Sequence, residues 1–335
     1  MQLREHIPLS TLTTFKVGGL ARYVAVCESE TDVVEAVAFA KENDLPFRVV
    51  GEGSNILASD DGFAGVLLQM RIQGLAYEED KEGTTVTAGA GVPWDEFVDD
   101  VVARGLWGIE NLAGIPGTVG AAPVQNIGAY GGEIRSVFLR ARVLDAQTGA
   151  INVYTLDDCA FTYRDSVFKH NRSLVILSVT FSLSHKGSPK LGYGDLAEQV
   201  RLGFSMNTPQ EIAVRVRAVR ATKFPDLRTH GTAGSFFKNP ILTPLQFSEL
   251  SARYGAIPSY PADPGIKIPL AFILDKLLGL NGYREGHVSH FGTQPLVIVA
   301  ENGATQNEID AFACAIEKKV FDTFNIKIER EVQAL

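Results

Sequence analysis

Two glycine-rich segments stand out as places where the backbone itself could do chemistry: Gly51-Glu52-Gly53-Ser54-Asn55 and the long run from Gly114 to Gly132. Glycine lets main-chain N–H groups come close to a ligand because no side chain intervenes, which suits such loops to phosphate oxygens. One loop of this kind is an ordinary tight turn. Two of them, one directly after the β-rich FRVV and one containing Asn126-Ile127-Gly128-Ala129, point to a large bound nucleotide. The commoner nucleotide signatures are missing. A Rossmann fold needs GxGxxG after its first strand, but Ile56 fills the third glycine position here and Gly89-Ala90-Gly91 stops at two. A P-loop, a GxSxG nucleophile elbow and HExxH are also absent from the sequence.

Metal and thiol chemistry have little to build on. His287-Val288-Ser289-His290 is the one closely spaced histidine pair, yet Gly286 and Gly292 bracket it and no Cys or carboxylate cluster completes a ligand set. A solvated loop and no metal site are expected. Cys27, Cys159 and Cys314 are odd in number and far apart, which reads as three buried thiols in a reducing cytosol. The formal net charge of −8 argues against broad binding to nucleic acid or an anionic membrane, while leaving room for a local basic pocket. The opening MQLREHIPLSTL lacks the apolar stretch of a signal peptide, and the best apolar runs, 174–183 and 295–300, fall short of a membrane span. A cytoplasmic protein with no membrane insertion is therefore expected.

The elements that must position these loops can be read from pattern and punctuation. At 335 residues, two or three domains are expected, each with its own core. RYVAV is a strand, and a helix opens at Ser29 with Asp32 as capping partner and Val33, Val34, Ala36, Val37, Phe39 and Ala40 as its apolar face. Leu45-Pro46 ends it, FRVV leads into the first glycine loop, and GVLLQM returns as a strand. A hairpin around Glu79–Gly83 precedes a short helix begun by Pro93 and closed by Gly105, and 140–155 and 174–183 read as sheet. Thr208-Pro209-Gln210-Glu211 is a capping box, with Ile212, Val216 and Val219 stacked on one helix face. Helices near 244–254 and 269–278 follow. A last helix opens at Thr305 with Glu308 and carries Ile309, Phe312, Ile316 and Val320 as its core stripe, before NIKIEREVQAL closes as a strand.

At this level the residues match a known family. TTFKVGG (13–19), GEGSN (51–55), ENLAGIPGTVGAAPVQNIGAYG (110–131), YRDS (163–166), AGSFFKNP (233–240) and EREV (329–332) occur in order over nearly the whole chain. This series resembles the UDP-N-acetylenolpyruvoylglucosamine reductase (MurB) family, and LGYGDL (191–196) looks like the tyrosine-bearing loop of its first subclass. The resemblance implies an α+β architecture: a vanillyl-alcohol-oxidase-type FAD-binding fold of two α/β lobes with a separate α/β substrate-binding domain. The lobes are expected at 1–70 and 71–220, the substrate domain at 221–320, and a C-terminal strand, 321–335, returning to the FAD region. The implied reaction reduces the enolpyruvyl ether of UDP-N-acetylglucosamine to the lactyl ether of UDP-N-acetylmuramate for peptidoglycan. Non-covalent FAD is the implied cofactor and NADPH the co-substrate, in a monomeric enzyme.

Such a reduction needs a hydride donor, stabilisation of the resulting carbanion and a proton donor. By resemblance, Arg164 stabilises the developing charge, Glu331 orients the substrate carboxylate or shares its proton, and Ser235 protonates the carbanion, activated by Lys238 or Lys223. Taken without the resemblance, Arg164 is a surface ion pair with Asp165, Ser235 a serine capping a turn after Gly234, and Glu331 a solvated tail residue. The implied FAD contacts are Gly51, Gly53, Ser54, Asn55, Ile115, Pro116, Gly117 and Gly128. Tyr193, Lys223, Asn239 and Gln294 are implied for the substrate's pyrophosphate and sugar, and Tyr130 for the substrate or nicotinamide end. One departure from the family pattern is Gln333, where arginine usually follows Glu331-Val332; Arg330 is expected to supply charge from the other side. Two alternatives stay open: an FAD-dependent oxidase or dehydrogenase of a small alcohol or hydroxy acid, and a non-catalytic nucleotide-sugar binder.

Overall fold

The computed structural model describes residues 1–79 and 83–335, so the tip of the expected hairpin around Glu79–Gly83 lies outside the described residues. The chain divides into two compact units. The first comprises Met1–Ile7, Ala21–Glu52 and Phe63–Ala221, and the second Pro8–Leu20, Gly53–Gly62 and Thr222–Leu335. The stretches expected as two FAD lobes thus share one unit, apart from 8–20 and 53–62. A single apolar core explains the sharing, because Val33 and Val37 belong to the same buried cluster as Trp94, Phe97 and Phe181.

In the first unit, Leu20–Cys27 and Phe47–Val50 both run parallel to Phe63–Met70, with Gln2–Pro8 on the outer edge. The intervening helix, Glu30–Glu42, starts as its sequence dictates. The Ser29 side chain accepts from Asp32 N–H and the Asp32 carboxylate accepts from Ser29 N–H. Val33, Ala36, Val37 and Ala40 form its buried stripe, while Val34, expected on that face, is exposed because it falls between the i, i+3, i+4 rows. A five-stranded antiparallel sheet follows, ordered Ile151–Thr155, Phe138–Asp145, Leu174–Ser184, Gly83–Gly89, Leu75–Glu79. The amphipathic helix Trp94–Ala103 buries Trp94, Phe97, Val98 and Val101, and the Trp94 indole N–H donates to Leu112 O at 3.0 Å. That bond fixes the start of the second glycine segment.

The second unit has its own core, into which Phe15 and Val17 insert alongside Phe236, Phe237 and Phe312. The strand Gln294–Ala300 pairs with Val288–Phe291, and the helix Gln306–Phe324 opens with the Thr305/Glu308 capping box and buries Ile309, Phe312, Ile316 and Val320. Three expectations are corrected here. The helix runs on to Phe324 and stops at Asn325 in a left-handed conformation, so the segment 321–335 begins as helix and its strand is only Gln333–Ala334. Cys314 is exposed, unlike Cys27 and Cys159, because it lies off the apolar stripe. His290 is buried in the strand Val288–Phe291 rather than solvated, with its ring edge-on to Phe312 at 5.0 Å. Among the described residues, no helix is long and apolar enough to cross a membrane.

Candidate active site

The first unit carries one half of the expected site residues. Gly51 packs so closely on Thr118 that a Cβ there would lie 2.6 Å from Thr118 Oγ1. Beside it, Gly117 N–H donates to Glu52 Oε2 at 2.7 Å. The two glycine segments therefore meet, and one of their amides already holds an anionic oxygen. Ile115 is half-buried against the core and Pro116 is exposed next to it. Gly114 C=O accepts from Arg220 Nε at 2.9 Å, and burial holds that guanidinium below its usual pKa.

Arg164 sits at a tight reversal in which Thr162 and Asp165 exchange backbone hydrogen bonds. Its backbone is left-handed, with φ 56°, and its guanidinium donates to Gly128 O at 2.6 Å. Asp165 pairs with His170 at 2.8 Å. Asn126, named in the sequence only as part of the glycine segment, joins the two loops. Fully buried and left-handed at φ 45°, it donates to Thr162 O at 3.0 Å and accepts from Arg135 N–H at 3.2 Å. Tyr130 is also left-handed and buried, its hydroxyl pushed up to about 12 by burial, and its ring stands edge-on to Tyr193 at 5.5 Å. Asn111, likewise named only within a motif, donates both to Tyr130 O at 2.8 Å and to Lys190 O at 2.9 Å. It thereby ties the glycine segment to the loop that carries Tyr193. The readable signal for both asparagines is their type: a short amide side chain bridges loop backbone groups, and at Asn126 it also tolerates αL backbone.

The second unit carries the other half. Gly53 has φ 65°, and a Cβ there would lie 2.1 Å from Leu12 O, so glycine is required at this turn. Ser54 and Asn55 follow it into Ile56–Leu57. Ser235 lies between two neighbours: it bridges Val297, and the next residue, Phe236, receives a bond from Glu331 N–H at 2.8 Å. Asn55 Nδ2 donates to Glu331 O at 3.2 Å, and Asn55 O accepts from Gln333 N–H at 3.0 Å. Ser235, Glu331 and Asn55, far apart in sequence, are thus brought together. Lys238, expected to activate Ser235, pairs with Glu329 at 3.0 Å. Asn239 uses its side-chain oxygen to cap Leu270 N–H at 2.9 Å, which leaves the amide end for a ligand. Thr293 Oγ1 donates to Thr222 O at 2.7 Å, which sets Gln294 beside the stretch of Lys223. Among the described residues, Gln294 Oε1 is buried with no hydrogen-bond partner, a site for a ligand O–H or N–H.

This combination of converging glycine loops and a separate C-terminal unit defines an FAD-binding fold, and residues 21–153 match the model of the FAD binding domain family. Residues 226–335 match that of the UDP-N-acetylenolpyruvoylglucosamine reductase C-terminal domain. The UDP-N-acetylenolpyruvoylglucosamine reductase of Pseudomonas savastanoi pv. phaseolicola is 38% identical over 335 residues, covering 99% of this chain and 98% of the relative. That of Cupriavidus pinatubonensis is 40% identical over 332 residues, covering 98% and 97%. The crystal structure of the reductase (MurB) from Thermus caldophilus shares the fold, with a TM-score of 0.68 at 24% identity over 99% of each chain. The chain belongs to the UDP-N-acetylenolpyruvoylglucosamine reductase family.

Proposed function

We propose that the chain reduces UDP-N-acetylglucosamine enolpyruvate to UDP-N-acetylmuramate for peptidoglycan, with NADPH as electron donor and FAD as cofactor. The reading is carried by one observation: Glu331 N–H bonds to the residue next to Ser235, joining two chain segments that belong to separate family motifs. The residues present fit FAD. Gly51 rests on Thr118, and the Gly117 N–H donates to the Glu52 carboxylate, so this junction offers a backbone donor to an anionic oxygen, as a pyrophosphate would require. Gly53, Ser54, Asn55, Ile115, Pro116 and Gly128 complete the proposed contacts.

Bound FAD supplies the redox step, relaying a hydride equivalent from NADPH to the enolpyruvyl methylene. The chain's residues handle the consequences. Charge develops on the neighbouring carbon and its carboxylate, and the Arg164 guanidinium, a planar fork that stays protonated, stabilises it. Glu331 orients that carboxylate. The Ser235 hydroxyl delivers the proton to the carbanion, completing the lactyl ether. Tyr193, Lys223, Asn239 and Gln294 hold the pyrophosphate and sugar, with Tyr130 at the substrate or nicotinamide end. The stretches 1–70 and 71–220 serve FAD binding, 221–320 serves the substrate, and the chain closes in the short strand Gln333–Ala334. The enzyme acts as a cytoplasmic monomer, in keeping with its acidic balance.

The test is direct. Purified protein should be yellow, release FAD on denaturation, bleach with NADPH under anaerobic conditions, and regain its colour with UDP-N-acetylglucosamine enolpyruvate as UDP-N-acetylmuramate forms. A colourless protein would sink the flavoenzyme reading. A flavoprotein bleached by a small alcohol or hydroxy acid and recoloured by dioxygen, but not recoloured by the enolpyruvyl substrate, would favour the oxidase alternative.

A further inference from the structure

Arg330 is the residue before Glu331, and its side chain does not point its charge at an open ligand site. Its Nε donates to Glu317 Oε1 at 2.6 Å, one terminal nitrogen pairs with Asp310, and the other reaches Cys314 Sγ at 3.0 Å. Asp310, Cys314 and Glu317 recur at four and three residues along the helix Gln306–Phe324, so they line one face and offer the planar fork three partners at once. The guanidinium carbon also lies 5.8 Å from the centre of the Phe236 ring, which is fully buried. Burial pulls the Arg330 pKa down, but Glu317 and Asp310 outweigh it and hold the group above its ordinary value, so its charge is permanent.

The main chain around Arg330 explains why such an anchor matters. Residues 329–331 are not in a regular strand. Their ties to the Ser235 segment are two backbone bonds, Lys238 N–H to Glu329 O and Glu331 N–H to Phe236 O, each 2.8 Å, which together make the isolated bridge between Phe237 and Arg330, and the Lys238–Glu329 ion pair. Phe236 in turn donates to Leu296 O at 2.8 Å. A side chain that locks residue 330 to a long helix therefore sets the position of both neighbours of this short ladder.

We propose that Arg330 is a positioning residue: by fastening the closing segment to the helix Gln306–Phe324 and lying over Phe236, it fixes Glu331 relative to Ser235. The inference rests on the roles proposed above for those two residues. Arginine is required rather than lysine, because an ammonium cannot span Asp310, Cys314 and Glu317 in one plane. A misplacement of about 1 Å in a reacting group can cost about a hundredfold in rate.

The experiment compares the two half-reactions of the holoenzyme by anaerobic stopped-flow absorbance, together with amide hydrogen exchange. Arg330→Met should slow reoxidation by the enolpyruvyl substrate by about tenfold to a hundredfold more than it slows flavin reduction by NADPH, through kcat more than KM. In a Glu331→Gln background the same substitution should cost less than about twofold, since its effect runs through Glu331. Exchange at the Glu331 and Lys238 amides should accelerate, and Arg330→Lys should restore little. Should Arg330→Met fail to fold, Glu317→Gln loosens a single bond and should move the same ratio in the same direction, by about threefold. Equal loss in both half-reactions, or losses that multiply with Glu331→Gln, would overturn the proposal. If wild-type protein does not turn over the enolpyruvyl substrate, the functional reading fails by itself. Exchange then decides the anchor alone, and unchanged protection at Glu331 refutes it.

Discussion

Replacing Asn126 by alanine tests whether one amide joins the Gly128 loop to the Arg164 turn. The side chain is fully buried, donates to Thr162 O at 3.0 Å and accepts from Arg135 N–H at 3.2 Å. It also donates to Glu133 Oε2 at 3.3 Å. Alanine removes all three bonds, at about 1 kcal/mol each, because their partners lie at partly exposed positions and recover some hydration. It also places a Cβ-bearing residue without a compensating amide at φ 45°, which costs about 1–2 kcal/mol. The sum is about 4–5 kcal/mol. Glycine loses the same bonds but relaxes the backbone, so Asn126→Gly should be the milder change by roughly 1 kcal/mol. Urea unfolding of the three proteins followed by flavin and tryptophan fluorescence gives the comparison. Should Asn126→Ala lie within 1 kcal/mol of wild type, or Asn126→Gly prove the worse of the two, the bridge is not what holds this turn.

Ser235→Ala should leave flavin bleaching by NADPH near the wild-type rate and slow reoxidation by the enolpyruvyl substrate by about a hundredfold or more; unchanged reoxidation in stopped-flow would remove Ser235 as the proton donor. His290 gives a pH prediction. Burial pulls it down to about 4 from the ordinary 6.5, so the unfolded chain binds the proton first and stability falls as pH drops from 6.5 toward 4. The loss from this residue approaches about 3 kcal/mol at the bottom of that window and is absent above pH 7.5. His290→Phe should flatten the acid limb of an unfolding midpoint plotted against pH, and an identical limb in the variant refutes the assignment.

How much of this was readable in the sequence depends on the range of the interaction concerned. Capping boxes at Ser29 and Thr305 and the stripe Ile309, Phe312, Ile316 and Val320 were legible because caps and helical faces are set within a few residues. The glycine segments were legible as types, but their meeting was not. Nothing in GEGSN says that Gly51 will rest on Thr118 or that Glu52 will hold the amide of Gly117. His290 was misread as solvated because flanking glycines speak for a turn, whereas a short strand against Gln294–Ala300 buries it. Arg330 was read as a source of charge, and only the helix thirteen to twenty residues earlier shows that its charge is already engaged.

Three strained backbone positions of the first unit lie where the Gly128 loop meets the Arg164 turn. Asn126, Tyr130 and Arg164 all adopt positive φ, between 45° and 56°, where glycine would be accommodated more easily. The surrounding sequence is rich in glycine, and Gly131 beside Tyr130 takes φ 81° without difficulty. A chain that uses glycine so freely nevertheless keeps three side chains at strained positions within one loop pair. Each such residue costs roughly 1 kcal/mol or more, and persists only where the surrounding structure holds it in place. For Asn126 that hold is its own three side-chain hydrogen bonds, and for Tyr130 it is Asn111 on the carbonyl. Arg164 is held by the Thr162–Asp165 exchange and by Gly128 O. The supports of Asn126 and Tyr130 act on loop backbone, whereas Arg164 is held through its guanidinium as well. Ala160 and the helix end Asn325 take the same backbone region, at φ 47° and 54°, so what sets Asn126, Tyr130 and Arg164 apart is that side-chain hydrogen bonds gather all three into one pair of joined loops.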